Sequence, residues 1–292
     1  MTAKSRPHRW RWALLVVGAL GLALLWKAGS QLTSPTNHHV APYPAPARAL
    51  KIASADHVTL AASYIPAAQP DAPAILLLHG NGGSRADVMP TALWLSAHGY
   101  AVLTIDFRGH GESTPTTKSF GLSEAHDAQA AFDWLKKRAH GGKVGVIGFS
   151  LGGAAALLGD NGPLTPDVMV LECVYPDIRH AIFNRVATVT GRWPAYFIEP
   201  LLSYQSWLRY GVSPSRISPV WALTRVTSPV MIVGGGADVY TPPEEIRSLF
   251  DAAHQNGEIW LLDGLSHDQV VSSQSKVFRS KLLSFLDKHL KN

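Results

Sequence analysis

Gly148-Phe149-Ser150-Leu151-Gly152-Gly153 follows the apolar run at 143–148 (KVGVIG) and precedes an alanine-rich segment at 154–156. This is Gly-x-Ser-x-Gly at a strand-to-helix junction. A hydroxyl made to project from so tight a turn leaves no room for side chains at the two flanking positions, which explains the glycines. The helix that follows aims its N-terminus, the positive end of its dipole, at any negative charge that develops beside the serine. Ser150 is therefore the candidate nucleophile, and the turn calls for a parallel sheet around it.

Reading outward from that turn, short apolar runs alternate with longer helical patterns. Strands are expected at 74–79, 100–106, 143–148, 167–172, 229–235 and 258–263, with a leading pair near 50–53 and 57–65. Their nearly continuous β-branched character fits strands buried on both faces. Helices are expected near 85–98, 121–139, 151–159, 243–255 and 274–290, giving a doubly wound, mostly parallel sheet. Residues 175–225, rich in Trp, Tyr and Pro, break the rhythm without supplying a strand and read as a helical cap or lid insertion in a domain spanning 48–292.

A serine needs a base, and the base needs an acid to orient it. Asp238 lies just after the strand at 229–235, and His267 just after the strand at 258–263. Strand-end loops present side chains at the crevice outside the sheet, and the chain order is serine, acid, histidine. Glu172, which ends the strand at 167–172, is the rival acid. The glycine-rich turn His79-Gly80-Asn81-Gly82-Gly83 follows another strand and can turn backbone N–H groups inward. The oxyanion hole is assigned to the N–H groups of Asn81 and Leu151.

The remaining composition narrows the function. The chain has 292 residues, 46% hydrophobic and 16% charged, in the range of one large globular domain. Lys4, Arg6, Arg9, Arg11 and Lys27 form a basic head, and the other 21 basic residues balance 21 acids. A neutral body lacks the basic face that nucleic-acid binding requires. The head instead precedes an apolar run, Trp12 to Trp26, the pattern of a secretory signal peptide or an uncleaved signal-anchor over residues 1–32. Positive charge before that helix predicts a catalytic domain outside the cytoplasm, on the periplasmic side of a cell membrane, or secreted if the helix is cleaved. A reporter fused after residue 48 that is active only in the cytoplasm would contradict this. Residues 33–47, Pro-rich and without periodicity, read as an extended linker. The lone cysteine, Cys173, reads as a small buried hydrophobe.

With HGNGG, DFRGHGES (106–113), GFSLGG, Asp238 and His267 in place, the chain resembles the α/β-hydrolase superfamily, in particular its bacterial esterase-like and serine-aminopeptidase-like branch. The resemblance covers about residues 48–290. It implies an α/β-hydrolase fold, structural roles for Asp106 and Arg108 beside the nucleophile, and a serine hydrolase acting through an acyl-enzyme on an ester, thioester or amide. It implies a small-molecule acyl substrate and no metal or organic cofactor. The insert at 175–225 departs from the pattern of that branch. An acyltransferase using an acceptor other than water, or an inactive binding protein on the same fold, are the alternatives, and oligomeric state is left open.

Overall fold

The computed structural model describes residues 9–69, 71–253, 256–273 and 275–291. Lys4 and Arg6 of the basic head lie outside these. Eight strands form the central sheet: β1 (Arg48–Ala53), β2 (Thr59–Ile65), β3 (Ala74–Leu78), β4 (Ala101–Ile105), β5 (Val144–Phe149), β6 (Val168–Glu172), β7 (Val230–Gly235) and β8 (Gly257–Leu262). Their order across the sheet is β8-β7-β6-β5-β3-β4-β2-β1. The leading pair β1–β2 is antiparallel, β2 joins β4 antiparallel, and every other pairing is parallel.

Alternation along the strands sends one set of side chains to each face. Leu76, Leu103, Val146, Leu171 and Ile232 build one core, against α3 (Glu124–Arg138), α4 (Leu151–Leu157) and α9 (Pro243–Ala252). Ile75, Leu77, Val102, Ile147, Val170 and Met231 build the other, against α2 (Met89–Ala97) and α11 (Lys276–Leu290). Both faces being covered is what the continuous apolar strands require.

Between β6 and β7 the chain adds no strand. It runs through α5 (Ile178–Thr190), α6 (Arg192–Ser203), α7 (Gln205–Tyr210), a 3₁₀ turn (Pro214–Arg216) and α8 (Pro219–Leu223). Near the N-terminus, α1 (Arg9–Thr33) outruns the apolar stretch read from the sequence, because Lys27 to Thr33 continue the helix. It is long and apolar enough to cross a membrane by length and composition.

The linker at 33–47 is extended but not free. Thr36 and His38 donate their N–H groups to the carbonyls of Gly109 (2.7 Å) and Gly111 (3.0 Å). The Asn37 amide donates to the carbonyls of His110, Gly111 and Ser113 at 3.2, 3.1 and 2.7 Å. Val40 and Tyr43 are buried, and the Tyr43 hydroxyl donates to the carbonyl of Arg85. Proline content and lack of period point only to an extended tether, whereas Thr33 ends α1 and Thr36–Asn37 pairs in parallel with His110–Gly111. Composition and period carry no information on a segment held by its backbone and one amide.

Candidate active site

Ser150 occupies the turn between β5 and α4 with φ 50° and ψ −110°, a conformation few non-glycine residues adopt. Its N–H donates to the carbonyl of Glu172 at 2.8 Å, fixing the turn to the neighbouring strand β6. The glycines on either side are sterically compelled. A Cβ on Gly148 would stand 2.5 Å from the backbone nitrogen of Gly153, and one on Gly152 would stand 2.4 Å from the carbonyl oxygen of Leu78. Both obstacles are backbone and cannot swing aside. Gly152→Ala is therefore expected to destabilise the fold by about 1–3 kcal/mol, the usual cost of overpacking. A thermal melt of the variant that superimposes on the wild type would contradict this close approach.

Two later strand ends meet this turn. His267 is the first residue of the short helix α10 (His267–Val271), whose N-cap Ser266 forms a capping box with Gln269. Its Nε2 accepts from the Ser150 hydroxyl at 3.2 Å, and its Nδ1 donates to Asp238 Oδ2 at 2.7 Å. Asp238 follows β7 and is held by three further donors: the N–H groups of Tyr240 (2.8 Å) and Thr241 (2.9 Å) and the Thr241 hydroxyl (2.5 Å). Burial by itself would push the Asp238 carboxyl up. The hydrogen bond and charge of His267, with the Thr241 donors, outweigh burial and hold it below the ordinary carboxylate range. The imidazole is also gripped by its neighbours, with Phe149 at 5.0 Å and Tyr240 edge-on at 5.6 Å between ring centres.

Ser150, His267 and Asp238, read from three distant places in the sequence, are thus in one hydrogen-bonded line. Glu172, the rival acid, is buried, but Nδ1 of His267 is engaged by Asp238. Burial pushes the Glu172 carboxyl up to about 7. An acid with a raised folded pKa binds its proton where the unfolded chain has lost it, so folding stability falls as pH rises from the unfolded value toward 7. Glu172→Gln is expected to remove this slope and to stabilise the protein at pH 8. A difference in unfolding midpoint between Glu172→Gln and wild type that is the same at pH 5 and pH 8 would refute it. Cys173 is fully buried, and burial, then the nearby Asp238 and Glu172 charges, push its thiol well up, so it is no thiolate nucleophile.

Leu151 opens α4, so its N–H has no acceptor within that helix. Asn81, on the exposed turn after β3, lies beside a cleft of about 480 Å³ lined by His79, Gly80, Phe149, Asp268 and Val271. That turn is set by a buried clamp that sequence reasoning missed. The N–H of Phe107 donates to His79 Nε2 at 3.1 Å, so the proton sits on Nδ1, which donates to the carbonyl of Gly80 at 2.7 Å. Burial drives the His79 pKa down to about 4, keeping the ring in this neutral form.

Asp106 and Arg108 work one layer out. Asp106 accepts from the N–H groups of Arg85 (2.7 Å) and Glu112 (2.9 Å) and from the Arg85 guanidinium. Arg108 is forked onto Asp127 of α3 at 2.9–3.1 Å. Both tie down the loop that carries Phe107. Thr241 was also missed, although an aspartate in a Gly- and Pro-rich stretch is an Asx-turn signal, met here by the bond from the Tyr240 N–H to Asp238.

Comparison with known proteins agrees with this geometry. The model of the Alpha/beta hydrolase family matches residues 75–279. The chain is 30% identical over 193 residues to rat lysophosphatidylserine lipase ABHD12, covering 62% of this chain and 45% of that protein. It is 24% identical over 192 residues to the uncharacterized protein YqkD of Bacillus subtilis, covering 65% of this chain and 63% of that one. The chain therefore spans about half the length of these relatives. Among solved structures, the Pyrococcus furiosus esterase Pf2001 superposes with a TM-score of 0.67 at 23% identity, over 87% of this chain and 99% of that one. At that identity the likeness speaks for the fold. A family match over most of the chain, on a sheet whose order and nucleophile turn are those described above, makes this protein a member of the α/β hydrolase family.

Proposed function

We propose that the protein is a serine hydrolase that cleaves carboxylic esters through an acyl-enzyme on Ser150. The observation that carries this reading is the unbroken line from the Ser150 hydroxyl through His267 to Asp238, at 3.2 and 2.7 Å. His267 Nε2 takes the Ser150 proton as Oγ attacks the carbonyl carbon, and the new oxyanion is met by the N–H groups of Asn81 and Leu151. The tetrahedral intermediate then collapses: the bond to the leaving oxygen breaks, and that oxygen takes the proton held by His267. Water, deprotonated by His267, repeats the attack on the acyl-serine and restores the hydroxyl. Asp238, kept ionised by its donors, fixes the tautomer and stabilises the imidazolium formed in each half-reaction.

The α1 helix anchors the enzyme in a cell membrane with the domain on the extracytoplasmic side, as the basic head before it directs. The ester is preferred over the thioester or amide because relatives carry the name lysophosphatidylserine lipase. A single-chain lipid ester is the substrate class that such names and a membrane anchor have in common. The test is a panel of activated esters, thioesters, aminoacyl amides and a lysophospholipid, turned over by the purified full chain. Esters should react fastest, with an initial burst equal to the enzyme present. Turnover confined to amides would reject the ester assignment, and no turnover on any member would reject the hydrolase.

A further inference from the structure

Helix α6 packs on the core with one face yet turns most of its large apolar side chains to solvent. It buries Ala195, Leu202 and its one acid, Glu199, which takes two bonds from the Arg179 guanidinium at 3.0 and 2.9 Å. It exposes Trp193 (80%), Phe197 (76%) and Leu201, and α7 continues with Trp207 (65%) and Leu208 (70%). Positions 193, 197 and 201 recur at helical spacing on one face of α6, and exposed Tyr204, Trp207 and Leu208 follow at the turn and in α7. Large apolar residues grouped in this way on a surface mark a contact.

The identity of that contact follows from α1. A hydrocarbon layer about 30 Å thick takes up about 20 helical residues at roughly 1.5 Å each. Counted from Trp10, such a span reaches Gly29, yet α1 is already against α7 from Leu25 onward. The Gln205 amide donates to the carbonyl of Leu25 at 3.0 Å. The Arg209 guanidinium donates to the carbonyl of Trp26 and the hydroxyl of Ser30, both at 2.9 Å, and lies 4.0 Å from the centre of the Trp26 ring. At Gly29 the helices are so close that a Cβ would stand 2.1 Å from Gln205 Oε1. A bilayer deep enough to cover α1 therefore reaches α7, the helix that carries Trp207 and Leu208.

Charge selects the kind of bilayer. Between Ile178 and Tyr210 the chain has four arginines, no lysine and a single acid, the buried Glu199. Of these, Arg192 on α6 is exposed and Arg185 on α5 half-buried, while Arg179 is paired with Glu199 and Arg209 is bonded to α1. Exposed Trp and Tyr beside Arg are the composition of a helix lying in an anionic lipid interface.

We propose that the exposed face of α6 and α7 is embedded in the headgroup layer of the bilayer that α1 crosses, with the exposed Arg192 on anionic phospholipid headgroups. This rests on α1 being a membrane span. The insert is in turn bonded to the loop of the acid: Asn184 of α5 donates to the carbonyl of Tyr240 at 3.0 Å.

The test reads depth, and no turnover enters it. The full chain carries one nitroxide at a time on Leu20→Cys in α1, Phe197→Cys in α6 or Lys137→Cys in α3, the native Cys173 being buried. It is reconstituted in vesicles of phosphatidylcholine with phosphatidylglycerol. Accessibility to oxygen should exceed that to a water-soluble nickel chelate at 20 and 197 and fall below it at 137. Lipid exposure at 20 with water exposure at 197 would overturn the proposal while leaving the span intact, and water exposure at both would overturn the two together. Dipolar broadening at 197 that disappears on dilution with unlabelled chain would make a second copy the occupant and overturn it. Vesicles of phosphatidylcholine alone should shift the 197 label toward water, and an unchanged value would overturn the assignment of Arg192 to anionic headgroups.

Discussion

Replacing Ser150 by alanine is expected to lower ester turnover by roughly 10⁴- to 10⁶-fold while leaving the fold intact, since removing the nucleophile of such a triad leaves only binding and oxyanion stabilisation. The fold should survive because the constraint on this turn is backbone: the Ser150 N–H bond to the Glu172 carbonyl and the flanking glycines do not involve the hydroxyl. The loss should appear in kcat, with substrate binding little changed. A variant that keeps more than about a hundredth of wild-type turnover, far above the residue expected of such a triad, would mean that another group carries the acyl transfer.

The second large effect is expected at Asp238. In Asp238→Asn the side chain is nearly the same size, and an amide oxygen could still accept from Tyr240, Thr241 or both. The exchange nonetheless puts an amide beside His267 Nδ1 where an ionised carboxylate stood. An amide N–H donating to Nδ1 moves the ring proton to Nε2, which then donates and cannot take the Ser150 proton. Loss of the charge also removes the stabilisation of the imidazolium, and together these are worth about 10⁴-fold in turnover in a triad of this kind. The measurement is kcat/KM for an activated ester beside a thermal melt. A drop under tenfold with an unchanged melt would shift the orienting role elsewhere, with Glu172 next in line.

The parts of the fold legible in the sequence are those governed by period and steric necessity. Each strand from β3 to β8 lies within about two residues of its apolar run, because burial on both faces leaves a continuous hydrophobic signature. Gly148 and Gly152 were legible for the same kind of reason, since a backbone approach near 2.5 Å admits one residue type. The acid and base were read from order and strand-end placement, features fixed by topology.

What remained hidden is held by bonds between residues with no local pattern. The strap at 36–43 is fixed by Asn37 and by backbone groups pairing with a turn about 70 residues away. His79 acts through its tautomer, which only its two partners reveal. The α6 stripe is visible as aromatic residues, but which face points outward depends on Glu199 finding Arg179, twenty positions earlier. Sequence gives the composition of that insert and not its orientation.

Everything above depends on activation of the Ser150 hydroxyl by His267. Its most direct measurement is the intact mass and peptide map of the full chain after exposure to a fluorophosphonate, which reacts with an activated serine. One adduct per chain is expected, on the peptide containing Ser150, with strong suppression of labelling in His267→Ala. No adduct, an adduct on another serine, or equal labelling without His267 would contradict it.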